Sequence, residues 1–506
     1  MQLNQRNLGA LAKHVQISDY PRYSRAPDSC NMRICHIGVG GFHRAHQANY
    51  LHQLLQQGGG QGWGIYGIAL MPNDLSLYSA MQTQDKLYSL WELEGEEREV
   101  RIIGSIIEFV NAINDREPAI SAISHPDTRI VSLTITEKGY CLDASGELDL
   151  THPDITQDIA LPEKPTSAIG LIVRALMRRR DQDLPPVTVM SCDNLIANGE
   201  QARKAIIGLA RAIDTDLAAW IQAHVSFPLS MVDRITPRPK SSTCTQLANS
   251  VGIEDQCLLV CESWKQWILE DNFCNGRPAF ERAGVTITDS VHLYEAMKVS
   301  MLNGGHSALS HIGILLSYQR VDEAASDPDL QQWLNGYMQE VEETLISLPG
   351  INFAEYRQSL ISRFANSAIE DSLFRLAEDS SSKFQQCLLE PLRKRFHKKE
   401  PCPYIAAAIT IWIIFLDSIS DQDELLCEYK DSNTTRLLKL ASETKASNDP
   451  TIFLVDILNL EGECLDYFAA QVNAVLTGIN NDICSLRSWI REFNLAKTSS
   501  PIKNAP

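Results

Sequence analysis

Positive charge is scarce in this 506-residue chain. It has 45 Lys and Arg residues against 63 Asp and Glu residues, a formal net charge of −18. Such a balance argues against a general nucleic-acid or anionic-membrane binder, because nothing would attract a polyphosphate over distance. We therefore expect neither nucleic acid nor a membrane among its partners. An anionic cofactor would have to be held by local features, such as backbone amides at a helix N-terminus.

The chain also lacks a long hydrophobic run and a repeated cysteine spacing. The most apolar stretch, residues 404–416, is shorter than the roughly 20 residues of a membrane-spanning helix, so we expect a buried helix there. Residues 1–15 are polar and lack the apolar core of a signal peptide. The 13 cysteines are odd in number and scattered, which favours free thiols in a reducing compartment. These absences predict a cytoplasmic protein.

The pattern of apolar residues changes near residue 285. Before this point, β-type runs alternate with helical stretches such as 45–56 and 168–180, which predicts an α/β domain with a mostly parallel sheet over 1–285. After it, nearly every segment has helical periodicity, which predicts a mainly α-helical domain over 286–506. The predicted strands are 34–37, 62–70, 100–103, 130–134 and 187–190. The predicted later helices are 294–319, 330–345, 353–365, 369–378, 405–419, 466–477 and 485–493, and the Ser-, Pro- and Lys-rich tail 497–506 is expected to fray.

A glycine-rich segment follows the first predicted strand of the α/β domain. Gly38 would let the chain turn sharply, and Gly40 would let the backbone approach a pyrophosphate at the N-terminus of the next helix. The third glycine of the usual dinucleotide-binding pattern is absent, because His43 occupies its position. The alternative is an ordinary glycine-rich turn, but the placement after the first strand favours a cofactor loop.

A single carboxylate follows the second predicted strand. A dinucleotide-binding domain needs an acidic residue there to bind the adenosine ribose, and Asp74 is the candidate. The alternative is that Asp74 is the N-cap of a helix that begins near Leu75.

Metal ligands are sparse near the glycine-rich segment. His43 and His46 are three residues apart but no third ligand accompanies them, and Cys257 and Cys261 lie in an apolar run typical of buried thiols. We therefore expect no metal ion.

The segment 294–306 has the densest set of reactive side chains in the chain. On a continuous helix of about 100° per residue, Lys298, Glu295, His306 and Asn303 fall within about 140° of one another and share a face. The alternative is a solvated polar stripe. The pair Gly304–Gly305 weakens a helix interior, which predicts that a ligand or another backbone approaches there. Tyr294 and Lys298 match the Y-x-x-x-K signature of short-chain dehydrogenases, but the chain is too long and its cofactor turn differs. A lysine acts as a general base only if burial lowers its pKa toward neutrality.

Taken with other motifs, these residues make the chain similar to the long-chain, polyol-specific mannitol dehydrogenases, a family with fructuronate, tagaturonate and arabinitol relatives. The resemblance implies an expanded Rossmann-like N-terminal domain and a mainly α-helical C-terminal domain, with the site in the cleft. The matching motifs are GVGGFHRAHQ at 38–47, TITEKGY at 134–140, SCDNL at 191–195, MVDRITP at 231–237, QWILEDNF at 266–273 and KVSMLNGGH at 298–306.

The resemblance also implies a role for each matching residue. Lys298 resembles the general base, Asn194 and Asn303 the amides that stabilise the oxyanion, His306 the residue that orients substrate hydroxyls, and Glu295 the carboxylate that passes the proton to solvent. The implied substrate contacts are Asp233, Arg375 and Lys383. The implied cofactor contacts are Gly38, Gly40, Gly41, Phe42, His43, Arg44, Asp74, Thr136 and Glu137.

The implied activity is the NAD-dependent interconversion of D-mannitol and D-fructose by a monomer or weak dimer. Four departures from the family pattern are Gly305 in place of Ser, Ser380 in place of Gly, Asn73 in place of an acidic residue, and Lys138, which fructuronate reductases share. The loss of an acidic residue before Asp74 makes NADP use possible. The alternatives are a fructuronate or tagaturonate reductase, a D-arabinitol dehydrogenase and an inactive NAD-binding scaffold.

Overall fold

The structure, a computed structural model, describes residues 1–11, 17–238, 240–479 and 483–498. The chain forms two compact units, Met1–His292 and Leu293–Pro506, where the sequence pattern placed the boundary after residue 285. The predicted fraying of the tail concerns residues that lie almost entirely outside the described ranges.

The first unit contains all the strands of the described ranges. They are β1 Ile17–Asp19, β2 Met32–Ile37, β3 Trp63–Ala69, β4 Tyr88–Glu94, β5 Glu97–Ile103, β6 Ile106–Asn111, β7 Thr128–Leu133, β8 Thr188–Ser191, β9 Ser230–Asp233, β10 Leu259–Glu262, β11 Gln266–Leu269 and β12 Thr286–Ile287. Its helices are α1 Leu8–Leu11, α2 Gly41–Ala45, α3 Gln47–Gln56, α4 Leu75–Thr83, α5 Glu117–Ile123, α6 Pro153–Ala160, α7 Ala168–Asp181, α8 Asn198–Ile213, α9 Thr215–His224 and α10 Ser241–Ser250.

The centre of the first unit is a five-stranded sheet in the order β6-β3-β2-β7-β8, and every neighbouring pair is parallel. Both faces are covered, because Cys35 and Ile37 of β2 enter one apolar core and Ile34 enters another. The strand order reverses between β2 and β7, and ligands of such sheets bind where this reversal opens a crevice at the carboxyl ends. The predicted Rossmann-like α/β domain is confirmed.

Two smaller sheets extend this unit beyond the central one. Their orders are β1-β5-β4-β10 and β12-β11-β9. The predicted strand at 100–103 belongs to the first of them, where β5 pairs antiparallel with β4. Near the N-terminus, β1 adds to the edge of β5, and the backbone amide of Leu3 donates to the carbonyl of Glu254.

The regular elements in the described part of the second unit are helices, as predicted. Its helices are α11 Val291–Met297, which begins just before the boundary, α12 Gly304–Leu315, α13 Val321–Ser326, α14 Pro328–Glu342, α15 Phe353–Phe364, α16 Leu373–Ala377, α17 Ser380–Lys398, α18 Pro403–Ile419, α19 Asp423–Glu428, α20 Thr434–Ser447, α21 Thr451–Leu458, α22 Gly462–Gly478 and α23 Ile483–Thr498.

The predicted buried helix at 404–416 is confirmed as part of α18, where nearly every side chain is buried. Across the described ranges, no helix is both long enough and apolar enough to span a membrane. The predicted helix 369–378 is wrong over its first part, because α16 begins at Leu373. The preceding backbone instead pairs with another segment: Asp371 accepts from Val321, and Ser372 bridges to Arg320.

Candidate functional site

The cofactor loop lies where the strand order of the central sheet reverses. Gly38 follows β2 and has φ of +91°, and a Cβ atom there would lie 2.1 Å from the carbonyl oxygen of Thr134, which follows β7. The Thr134 hydroxyl donates to the Gly38 carbonyl at 2.6 Å. Only glycine fits this close approach of two backbones. Gly40 is the N-cap residue of α2, so the turn carries two of the features predicted for a pyrophosphate cradle.

His43, which occupies the position of the third glycine in the usual dinucleotide-binding pattern, packs its ring against another histidine. The rings of His43 and His36 are stacked with centroids 3.3 Å apart, and both residues are fully buried. His36 contacts the hydroxyls of Ser132 and Thr134 at 2.8 and 3.0 Å. Burial lowers the pKa of His43, and it lowers that of His36 to about 3, so both rings are neutral at pH 7.

The other polar residues of the loop are held by neighbouring backbone. His46 contacts the Gln266 carbonyl at 2.8 Å, and burial lowers its pKa to about 3. Arg44 donates to the carbonyls of Cys257 and Gly40, so its side chain ties the loop to the backbone at residue 257. Within the described residues, no group of three or more His, Cys, Asp or Glu side chains is placed to hold a metal ion.

Gly41 and Phe42 complete the loop at the first turn of α2. A Cβ atom on Gly41 would lie 3.5 Å from Leu259, an ordinary contact, so space alone does not require glycine there. The Phe42 ring stacks on His46 with centroids 5.0 Å apart. What these two residues offer a cofactor is therefore the backbone of the turn.

Asp74 lies just after β3, as a ribose-binding acid should. Its Oδ2 accepts from the backbone amides of Leu70 and Met71, each at 2.9 Å. Asp74 also directly precedes α4, as the alternative role of an N-cap residue requires, but its side chain makes no capping bond to that helix. Met71 and Leu75 beside it are 57% and 51% exposed, so an apolar surface flanks the carboxylate.

The loop after β7 has a strained residue. Thr136 is exposed and has φ of +63° and ψ of 167°, a combination that is essentially restricted to glycine. Glu137, also exposed, follows it. The carboxylate of Asp193 accepts from the backbone amides of Ile135 and Thr136 at 3.1 and 2.8 Å. The structure thus joins the TITEKGY and SCDNL motifs at one point.

Asn194 adjoins this point, and Asp233 lies on a strand whose first residue is tied to it. Asn194 is exposed and directly follows Asp193, whereas Asp233 ends β9 and is 4% exposed. The side-chain amide of Asn198 donates to the carbonyls of Asp193 and Ser230 at 3.0 and 2.7 Å, which ties the two segments together.

In the second unit, the predicted continuous helix is wrong between Lys298 and Asn303. These residues form a π-helical segment between α11 and α12, so a rotation of 100° per residue does not hold there. Such segments occur frequently at functional sites. The solvated-stripe alternative does not fit either, because Lys298 is 6% exposed and Glu295, Asn303 and His306 are half-buried. The His306 ring stacks on Phe364 with centroids 4.1 Å apart.

The two glycines after the π segment are explained by helix packing. A Cβ atom on Gly304 would lie 2.2 Å from the hydroxyl of Tyr337, and one on Gly305 would lie 2.7 Å from the end of Met338. Both neighbours are side chains of α14, so neither a ligand nor another backbone is needed. The Tyr337 hydroxyl donates to the carbonyl of Ser300 inside the π segment at 3.3 Å. This contact, which no sequence pattern indicated, supports the segment that carries Lys298.

Three cationic side chains of the second unit lie in one neighbourhood. Burial raises the pKa of the Cys387 thiol on α17 to about 12, and the charges of Lys383 and Lys298 oppose that rise. Burial lowers the pKa of Lys383, and the charge of Arg375 lowers it further. Lys383 donates to the Leu376 carbonyl at 2.9 Å, and Arg375 is paired with Asp371. Lys298 and Lys383 therefore both lie near Cys387, and Arg375 lies near Lys383.

A residue that the sequence analysis missed lies beside these cations. His311 of α12 is fully buried, its Nε2 lies 3.0 Å from the hydroxyl of Ser380, and burial lowers its pKa to about 3. Ser380 replaces the glycine of the family pattern, so this contact depends on that departure.

Comparisons with known proteins agree with this architecture. The family model of the mannitol dehydrogenase Rossmann domain matches residues 32–282, and that of the mannitol dehydrogenase C-terminal domain matches residues 290–478. D-mannonate oxidoreductase of Escherichia coli strain K12 is 40% identical over 79% of this chain and 85% of its own. Mannitol 2-dehydrogenase of Cereibacter sphaeroides is 38% identical over 93% and 98%. The solved ternary complex of Pseudomonas fluorescens mannitol 2-dehydrogenase with NAD and D-mannitol has a TM-score of 0.84 at 36% identity, covering 99% of this chain and 100% of that one.

Proposed function

Because the chain belongs to the mannitol dehydrogenase family, we propose that it interconverts D-mannitol and D-fructose by hydride transfer at C2 with NAD. The observation that carries the proposal is the nearly buried Lys298 at the start of a π-helical segment that also holds Asn303. Similarity to a mannitol 2-dehydrogenase over 93% of this chain supports the choice of substrate. We place the protein in the cytoplasm as a monomer or weak dimer.

The cofactor loop fits a dinucleotide. At Gly38 a side chain would collide with the Thr134 carbonyl, and Gly40 leaves open backbone at the start of a helix. In the proposal the backbone of Gly38, Gly40, Gly41, Phe42, His43 and Arg44 holds the pyrophosphate, while Asp74, Thr136 and Glu137 contact the rest of the cofactor. NAD, when bound, supplies the hydride acceptor. A carboxylate at Asp74 disfavours a 2′-phosphate, but the neutral Asn73 leaves room for NADP.

The proposed proton transfer uses side chains of the chain alone. Lys298 takes the hydroxyl proton as hydride leaves C2, and Glu295 passes that proton to solvent. Asn194 and Asn303 each donate an amide N–H to the developing oxyanion, because fixed donors stabilise charge without reorganisation. His306 and Asp233 orient substrate hydroxyls. This scheme uses no metal ion.

A second candidate is the oxidation of a sugar acid or the reduction of a hexuronate. It is favoured by the placement of Arg375 near Lys383, since cationic groups recognise carboxylates. D-mannonate oxidoreductase of Escherichia coli is also 40% identical to this chain. A carboxylate would compete with Asp371 for Arg375, whereas a neutral polyol would leave that ion pair in place.

A substrate panel separates these candidates. Oxidation of NADH is followed at 340 nm with fructose, fructuronate, tagaturonate and xylulose, and a parallel series uses NADPH. We expect the highest kcat/KM with fructose and NADH. A preference for a uronate would support the second candidate, and a preference for xylulose would indicate an arabinitol dehydrogenase. Binding of NADH without turnover of any substrate would indicate an inactive scaffold and contradict the proposal.

A further inference from the structure

Asp193 is buried where the segment after β8 meets the loop after β7, but the proposed chemistry gives it no role. It is 7% exposed and lies directly before Asn194. Its two carboxylate oxygens accept from three donors: the backbone amides of Ile135 and Thr136, and the hydroxyl of Tyr140 at 2.6 Å. A buried carboxylate is costly unless it is so bonded. Burial raises the pKa of Asp193, and these donors act against the rise.

The backbone that Asp193 binds would not adopt its conformation unaided. Thr136 has φ of +63° and ψ of 167°, where the side chain of a non-glycine residue meets its own backbone. Strain of this kind persists only when surrounding contacts over-determine it. The two bonds from Ile135 and Thr136 to one carboxylate are such contacts, because they fix both peptide N–H directions at once.

The strained loop lies against the cofactor loop. Thr134 bonds to Gly38 through its hydroxyl, and its carbonyl occupies the space that a Gly38 side chain would need. Both residues lie at the carboxyl ends of β2 and β7, where the strand order reverses. A displacement of residues 135–136 would therefore reach the cofactor loop through Thr134, and a displacement of Asp193 would shift the adjacent Asn194.

We propose that Asp193 is a positioning residue, which holds Thr136 in its strained conformation and thereby sets the cofactor loop and Asn194 for hydride transfer. It contacts neither substrate nor cofactor in this role. Its kinetic test rests on the proposed dehydrogenase function, but the strain itself is measured without turnover.

The test is a double-mutant cycle of Asp193→Ala and Thr136→Gly. Asp193→Ala should lower kcat/KM by about 10²-fold, with much of the loss in kcat, because misplacing a reacting group by about 1 Å has that effect. Glycine adopts the conformation of residue 136 without strain, so adding Thr136→Gly should restore at least about tenfold of the lost kcat. Asp214→Ala is the matched control, because Asp214 also accepts from two backbone amides, at the start of α9. It should lower the thermal midpoint and leave kcat unchanged.

Stability gives a second reading that needs no activity. If Asp193 enforces the strain, Thr136→Gly should raise the urea midpoint of unfolding of the wild-type protein. The same substitution should raise the midpoint of the Asp193→Ala variant less, or not at all. Equal shifts in both backgrounds, or no recovery of kcat in the double variant, would overturn the proposal. If Asp193→Ala does not fold, Asp193→Asn replaces it in both cycles, since it keeps one acceptor oxygen. A wild-type protein without turnover refutes the proposed function, and the stability cycle still decides the role of Asp193.

Discussion

Replacing Gly304 by alanine tests how the π-helical segment is held. The added Cβ would lie 2.2 Å from the Tyr337 hydroxyl oxygen and 3.2 Å from its ring carbon Cζ. Tyr337 is fully buried and cannot swing into solvent. Such overpacking costs about 1–3 kcal/mol, and displacing the hydroxyl from Ser300 costs about 1 kcal/mol more. The helical preference of alanine over glycine offsets about 1 kcal/mol. We expect a net destabilisation of about 1–3 kcal/mol.

The destabilisation by Gly304→Ala should depend on the hydroxyl oxygen of Tyr337. In a Tyr337→Phe background the nearest atom would be a ring carbon at 3.2 Å, so Gly304→Ala should cost at least about 1 kcal/mol less there. Urea unfolding of the four proteins measures this coupling, and kcat of each reports whether Lys298 moves. Gly9→Ala is the control, because a Cβ at Gly9 has nothing within 4 Å. Additive effects of Gly304→Ala and Tyr337→Phe would refute the packing explanation.

Three further predictions concern other parts of the chain. Gly38→Ala should weaken NADH binding by more than about tenfold, because both its φ of +91° and the Thr134 carbonyl oppose a side chain. The control is Gly252→Ala, which has φ of +67° and nothing near its Cβ, so it measures the cost of the backbone conformation alone. Equal effects of the two substitutions on NADH binding would contradict the role of Gly38. Asp74→Asn should weaken NADH binding by about tenfold and raise the preference for NADPH, measured as kcat/KM with NADPH divided by kcat/KM with NADH. An unchanged ratio would exclude Asp74 from ribose binding. Burial raises the pKa of Glu340 to about 7, so the folded state holds its proton more tightly than the unfolded state. As pH rises from about 4.5 to 7, the free energy of unfolding should therefore fall by at most about 3 kcal/mol. Glu340→Gln should reduce this dependence of the unfolding free energy on pH, measured by urea titrations at several pH values. An unchanged dependence would count against a raised pKa of Glu340.

Local pattern was enough to predict four of the five central strands and the turn after β2, but not β6 at the edge of that sheet. Strands such as β2 and β7 are short, apolar and flanked by helices, and this alternation is typical of a parallel sheet with both faces covered. Gly38 and Gly40 also mark the turn by composition alone. Pairing at the edges was not predictable, because the attachment of β1 to β5 joins segments far apart in sequence.

The candidate site was predicted by residue type but not by geometry. The change from α to π hydrogen bonding between Lys298 and Asn303 leaves no mark in composition, so the assumed angles were wrong. The strain at Thr136 depends on Asp193, 57 residues later, which only the folded chain brings near. The glycines at 304 and 305 were predicted to admit a ligand or another backbone, but the group that approaches Gly304 is the side chain of Tyr337 on another helix.

The central claim is that a buried lysine removes the proton during hydride transfer to and from a polyol. The most direct measurement follows NADH oxidation by fructose at 340 nm, with EDTA present, in the wild-type protein and the Lys298→Ala variant. Lys439→Ala, an exposed lysine on α20, is the control. The account predicts turnover by the wild type and the control, and a loss of at least about 10²-fold in Lys298→Ala with NADH binding intact. Turnover by Lys298→Ala equal to that of the wild type would contradict it.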